Sequence, residues 1–239
     1  MSPKITLKHD PRNLLNSLVL VFPLLLIYQV GVLFTLPMLN GADFLTVFLF
    51  RNLGLTTTQY LAYTGVVAVL FAAAVFVLRR RQRFDPKVII PVLLESAVYA
   101  LTMGSLIIFV MTRLFGISPR LAGGVVEQQG FITRLVMSLG AGVYEETVFR
   151  LVMMGGMVAL CERVLGVGRW VALILGLAMS SLLFSAMHHI PPYGDPLRLG
   201  IFTFRCLAGV CFGLLFWFRG FAVAVYTHAL YDLYVLLVR

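Results

Sequence analysis

The sequence predicts an all-α membrane protein, a polytopic bundle of about seven transmembrane helices within a range of six to eight, and three observations carry that prediction. Of the 239 residues, 60% are hydrophobic and only 12% charged, whereas a soluble domain is about half apolar and a quarter charged. Apolar runs recur along nearly the whole chain, each close to the roughly 20 residues needed to cross a bilayer. The basic residues gather in the short segments between those runs, which is how a membrane protein records its orientation.

Taken in order, the first span is expected over about Leu14 to Leu36. The polar and basic Met1 to Arg12 precede it, and the run is longer than the apolar part of a signal peptide, so it is expected to be retained. Phe44 to Phe50 is too short to cross and is placed at the interface. A second span covers Tyr60 to Leu78 and a third Val88 to Thr112, with Arg79-Arg80-Arg81-Gln82-Arg83 and Lys87 between them. Arg113 to Gly130 is polar and glycine-rich with a Ser118-Pro119 turn signal, hence a loop, and Phe131 to Leu139 reads as a short helix. Spans four to seven follow at Gly142 to Leu160, Trp170 to His188, Leu199 to Phe218 and Phe221 to Val238. Only Arg219-Gly220 separates the last two. Residues 1–239 are expected to form a single integral membrane domain.

The net charge of +9 would point a soluble protein toward nucleic acid. Here it is the positive-inside pattern, so membrane lipid is the expected partner and nucleic acid is not. A cytoplasmic N-terminus puts Lys4, Lys8, Arg12, Arg79, Arg80, Arg81, Arg83, Lys87, Arg163, Arg169 and Arg219 on the cytoplasmic side. Arg51, Arg113, Arg120, Arg198 and Arg239 then lie opposite. The expected location is a prokaryotic cytoplasmic membrane. Cys161, Cys206 and Cys211 lie in or beside apolar runs without paired spacing, which argues against a disulfide framework or a thiolate metal cluster.

The chemistry is expected in the second half, where ionisable residues sit inside apolar runs. The fourth span opens with Tyr144-Glu145-Glu146-Thr147-Val148-Phe149-Arg150. A charge at that depth costs roughly 2.5–3.5 kcal/mol even on the lenient insertion scale, so its retention implies a use. Glu146 and Arg150 are four apart in the order acid then base, which suits an ion pair. Glu145 is turned by about 100° from Glu146 and remains available as a base. The fifth span ends in Phe184-Ser185-Ala186-Met187-His188-His189, and the seventh carries His228 and Asp232 four apart. Three helices thus contribute polar groups, and such groups face a bundle interior or a water-filled cavity. Glu95 and Arg205 are further charges within spans that either line that cavity or pair with neighbours, and Gly209 with Gly213 marks close helix packing.

The order Glu145-Glu146-x-x-x-Arg150, then Phe184-x-x-x-His188, then Phe212-Gly213, then His228-x-x-x-Asp232 resembles the CPBP family. That family joins the CAAX prenyl proteases of the Rce1 type to the Abi bacteriocin-processing and immunity proteins. The part of the chain carrying these motifs is 142–238. The resemblance implies an intramembrane endopeptidase in which Glu145 and His188 activate a water and His228 with the residue four further on stabilises the oxyanion, Glu146 and Arg150 being the supporting ion pair. It also implies a membrane-associated peptide or protein substrate, prenylated or bearing a C-terminal membrane anchor. Prenyl proteases of the family usually carry asparagine where this chain has Asp232. An ionised carboxylate there would repel an oxyanion, so Asp232 is either protonated or orients His228.

Two histidines and a glutamate also match a catalytic zinc set, here Glu145, His188 and His228. The expectation is nevertheless no cofactor, with zinc as the alternative. A non-proteolytic immunity or peptide-binding protein of the same fold is the second functional reading, and a proton-coupled transporter the third.

Overall fold

The computed structural model describes residues 13–44, 46–48, 54, 56–118, 129–190 and 194–238. Met1 to Arg12, part of the Phe44 to Phe50 segment and most of the loop expected at Arg113 to Gly130 lie outside the described residues.

Every regular element among the described residues is helical. The α-helices are α1 (Leu14–Thr35), α2 (Thr57–Arg79), α3 (Ile89–Arg113), α4 (Phe131–Gly140), α5 (Gly155–Arg163), α6 (Arg169–Met187), α7 (Leu199–Arg219) and α8 (Phe221–Val238). A 3-10 turn at Pro86–Val88 leads into α3. Six helices are long and apolar enough to cross a membrane: α1, α2, α3 with its 3-10 turn, α6, α7 and α8. The chain is an integral membrane protein.

The fourth predicted span takes another form. Between α4 and α5 the chain is π-helical over Ala141–Met154, so the run Phe131–Arg163 is one continuous rod of α, π and again α turns. A π-turn bonds each N–H to the carbonyl five residues back and occurs mostly as a single turn at functional sites. Here it extends over 14 residues that include Glu145, Glu146 and Arg150. Side-chain hydroxyls take up carbonyls along it, Thr147 Oγ1 donating to Val143 O and Ser180 Oγ to Phe149 O, both at 2.6 Å.

Helix ends follow local chemistry. Asn13 caps α1 by accepting from the N–H groups of Leu15 and Asn16, and Thr56 with Gln59 forms a capping box on α2. The one-residue link between α7 and α8 is Gly220 at φ +100°, a conformation that side chains disfavour.

Hydrogen bonds between segments define two ends of the bundle. At one end, Leu15 N–H donates to Gln82 Oε1, Asp85 N–H to Asn16 Oδ1, and Ala222 N–H to Ser17 Oγ. This end gathers the starts of α1, α3 and α8 and the Arg79-to-Arg83 cluster. At the other end, Arg134 Nη1 near the start of α4 donates to Leu236 O near the end of α8. The rod Phe131–Arg163 therefore crosses the bundle as the sequence requires of its fourth span.

The intramembrane charges pair as one of the two readings expected. Glu95 on α3 accepts from Arg219 Nε at 2.5 Å and Nη2 at 2.7 Å, fastening α3 to the end of α7. Arg205 pairs through two nitrogens with Asp195 in the segment before α7. Gly209 and Gly213 do serve close packing: an added Cβ would meet Ser181 Cα at 3.0 Å and Leu177 Cδ1 at 2.4 Å.

Candidate active site

The π-helical stretch packs against α6, α7 and α8, which is why residues from three separate motifs converge on it. Gly142 makes the approach to α8 possible. A Cβ there would lie 2.7 Å from Val225 O and 2.8 Å from Ala229 Cβ, so any larger residue would hold off the turn that carries His228.

Arg150 and Glu146 form the innermost layer, both side chains fully buried, with Arg150 Nη1 3.2 Å from Glu146 Oε1. The expected ion pair is therefore present, although on π rather than α turns. Arg150 Nη2 also donates to Gly209 O at 3.3 Å. Its guanidinium lies 4.3 Å from the ring centroid of Phe184 and 5.3 Å from that of Phe212. These aromatic faces compensate a buried cation, which gives the two motif phenylalanines a physical role that their spacing alone did not reveal.

Glu146 has a second partner. His228 Nδ1 stands 2.7 Å from its Oε1, and the His228 ring stacks on Phe212 with centroids 4.3 Å apart and planes 17° from parallel. Facing a carboxylate, Nδ1 is the donor, so Nε2 is directed into the site. Asp232 Oδ2 is 3.5 Å from that same Nε2. The orienting position at Nδ1, considered for Asp232, is held by Glu146.

Glu145 lies one layer outward. Its Oε2 is 3.5 Å from His188 Nε2 and 3.9 Å from His228 Nε2, and among the described residues it has no hydrogen-bond partner. His188 Nδ1 is 2.7 Å from Phe184 O, which can only accept, so this nitrogen carries a proton and a neutral ring presents its lone pair at Nε2. Exposure rises outward through the cluster, the side chain of His228 being 4% exposed, Glu145 11%, His188 21% and Asp232 32%. The site thus opens past His188 and Asp232.

The neighbouring His189 serves the loop. Its Nδ1 is 2.9 Å from Asp195 O while Asp195 N–H donates to His188 O at 2.7 Å, closing the segment after α6 back on itself. All six residues singled out from the sequence, Glu145, Glu146, Arg150, His188, His228 and Asp232, are brought together. Asn40 was not foreseen: its Nδ2 donates to Glu145 Oε1 at 3.0 Å. Nothing in its surroundings signalled this, since a lone amide in a short connecting segment has no period and no cost of burial legible in sequence. Among the described residues no group of three or more His, Cys, Asp or Glu side chains is disposed to hold a metal ion.

The fold and site define a helical membrane protein with an acid–histidine cluster buried between helices. Residues 127–234 match the family described as type II CAAX prenyl endopeptidase Rce1-like. The match takes in every motif residue and a little under half of the chain, and over that segment the CPBP resemblance read from the motifs holds. The family is one of proteases. Comparison with characterised proteins and with solved structures finds no match.

Proposed function

We propose that the protein is an intramembrane endopeptidase that cleaves a membrane-associated or lipidated peptide or protein. The observation that carries this reading is the buried Glu145 Oε2, without a hydrogen-bond partner among the described residues and facing the Nε2 atoms of His188 and His228. A carboxylate oxygen and a lone-pair nitrogen 3.5 Å apart are two acceptors converging on one point. That arrangement holds a water by both its hydrogens and leaves the water oxygen's lone pairs free for attack.

In this reading Glu145 takes the proton as the water oxygen bonds to the scissile carbonyl carbon, and His188 fixes the direction of attack. The carbonyl oxygen becomes an oxyanion, which a protonated His228 stabilises through Nε2–H while Nδ1–H remains on Glu146. Asp232 lies beside the same Nε2 at 3.5 Å, in the position where prenyl proteases usually carry an asparagine amide. Glu145 then returns its proton to the leaving amine, and the C–N bond breaks. The steps use side chains alone, and a chelator-treated preparation with and without added zinc checks that reading.

The test uses the purified protein in liposomes with a farnesylated peptide ending in a CAAX sequence and the same peptide unprenylated. Glu145→Gln and His188→Ala are expected to abolish cleavage while keeping the helical spectrum and melting temperature of the wild type. Retained cleavage in these folded variants overturns the protease reading. New protein termini found by mass spectrometry in wild-type membranes and missing in Glu145→Gln membranes would name the natural substrate.

A further inference from the structure

The second oxygen of the Glu145 carboxylate is held from outside the family-matched segment. Asn40 lies between α1 and the short helical turn at 46–48, is buried at 8% exposure, and donates from Nδ2 to Glu145 Oε1 at 3.0 Å, across 105 residues of sequence. Its other contacts fix which way the amide points. Oδ1 accepts the Ala42 N–H at 2.8 Å, so the oxygen is committed to the loop and the NH2 group is the one that faces the carboxylate.

The loop in turn is anchored. The Asn40 N–H donates to Tyr28 Oη at 3.2 Å, and Asp43 caps the next turn through Thr46 N–H at 3.2 Å. Gly140, at the end of α4, leaves room for this approach. A Cβ there would stand 2.3 Å from the Tyr28 ring and 3.2 Å from Asn40 Cβ. A loop tied to Tyr28, braced by two hydrogen bonds of its own and aimed at one oxygen resembles the outer hydrogen-bonding partners that orient functional carboxylates.

We propose that Asn40 is a positioning residue for Glu145, its amide holding Oε1 so that Oε2 points at the imidazoles of His188 and His228. The inference rests on the reading of Glu145 as the base. It follows that residues 127–234 do not contain the whole site, because the first half of the chain supplies the group that sets the angle of the base.

The decisive variant is Asn40→Asp in the full-length protein in liposomes. It keeps the acceptor for the Ala42 N–H and the size of the side chain, and replaces the donor that faces Glu145 with a carboxylate oxygen, whose added charge Asn40→Ala controls for. The expected result is a fall in kcat of roughly 10- to 100-fold with KM nearly unchanged, as for loss of an orienting partner, and Asn40→Ala is expected to fall as far. A loop-building role alone would leave Asn40→Asp near wild type with Asn40→Ala impaired, and that outcome overturns the inference.

A readout free of turnover covers a variant that is too unstable to assay. Asn40→Asp is expected to lower the melting temperature, and adding Glu145→Gln is expected to restore it, because the introduced amide at 145 donates to the introduced carboxylate at 40. Additive melting shifts would remove the contact. Normal cleavage by Asn40→Asp with Glu145→Gln inactive overturns this inference alone, whereas cleavage by Glu145→Gln overturns both it and the protease reading.

Discussion

His228 Nδ1 lies 2.7 Å from Glu146 Oε1, and that single contact ties α8 to the π-helical stretch across 82 residues. It makes Glu146 more than the partner of Arg150, because the same oxygen receives the guanidinium at 3.2 Å and fixes the histidine ring. Glu146→Gln is therefore expected to lower kcat by about 10²-fold or more, since an amide nitrogen turned toward Nδ1 selects the wrong tautomer. Steady-state kinetics in liposomes checks the rate and nitrogen NMR of the histidine side chains checks the tautomer. A Glu146→Gln variant within twofold of wild type would show that the contact does no catalytic service.

Arg150 is fully buried, as Glu146 is, and its removal leaves Glu146 enclosed without its guanidinium partner. Arg150→Met is expected to cost about 3–5 kcal/mol of stability, the usual penalty for breaking a buried pair from one side. Arg150→Lys is expected to recover part of that loss. A lysine keeps the charge but has no planar face to lay on Phe184 and no second nitrogen to reach Gly209 O while bonding Glu146. Unfolding titrations in mixed micelles would separate the three proteins. Equal stability of Arg150→Lys and wild type would rule out a need for the guanidinium plane.

Gly142 sets the distance between the rod and α8. Gly142→Ala is expected to destabilise the fold by about 1–3 kcal/mol through overpacking and to lower kcat with it, because Val225 O and Ala229 Cβ have no room to yield. Gly156→Ala provides the control, having nothing within 4 Å of an added Cβ. The same measurements on both variants decide the matter: similar effects at the two sites would refute the packing account.

The site opens near His188, at the end of the bundle opposite the Arg79-to-Arg83 cluster. We propose that basic segments are retained in the cytoplasm, an orientation that turns the acid–histidine cluster, and the end of α8 at Val238, toward the exoplasmic half. A phosphatase–galactosidase dual reporter fused after Arg239 is expected to report an exoplasmic C-terminus. A cytoplasmic readout reverses the orientation and places the opening toward the cytosol, as in prenyl proteases.

Much of the cluster was legible in the sequence because charge in hydrocarbon is conspicuous. Glu145, Glu146, Arg150, His228 and Asp232 interrupt apolar runs, and their four-residue spacings suggested which would pair. The π-helical turns were not legible, since no composition or period distinguishes Ala141–Met154 from an α-helix, and the Ser180 hydroxyl that reaches Phe149 O comes from α6, 31 residues away in sequence. Asn40 was hidden for a related reason. A neutral amide in a loop costs nothing to place there, and its meaning depends on a fold that brings position 40 to position 145.

Helix α2 behaves differently from the rest of the bundle: Tyr60 is its one buried residue. Lipid tails are as apolar as the helix, so association with α1 gains little from hydrophobicity, and sliding α2 sideways would exchange one lipid contact for another. What resists that motion is a pin, Tyr60 Oη donating toward Gln29 O at 2.8 Å and Gln29 Oε1 at 2.6 Å, while Gln29 itself reaches Tyr144 beside Glu145. The segment with the least to lose by swinging away is thus latched at the depth of the acid–histidine cluster, and its lateral mobility is governed by a few contacts, the Tyr60 phenol with Tyr63 against Thr46 and Phe71 stacked on Phe22, rather than by the area of the helix.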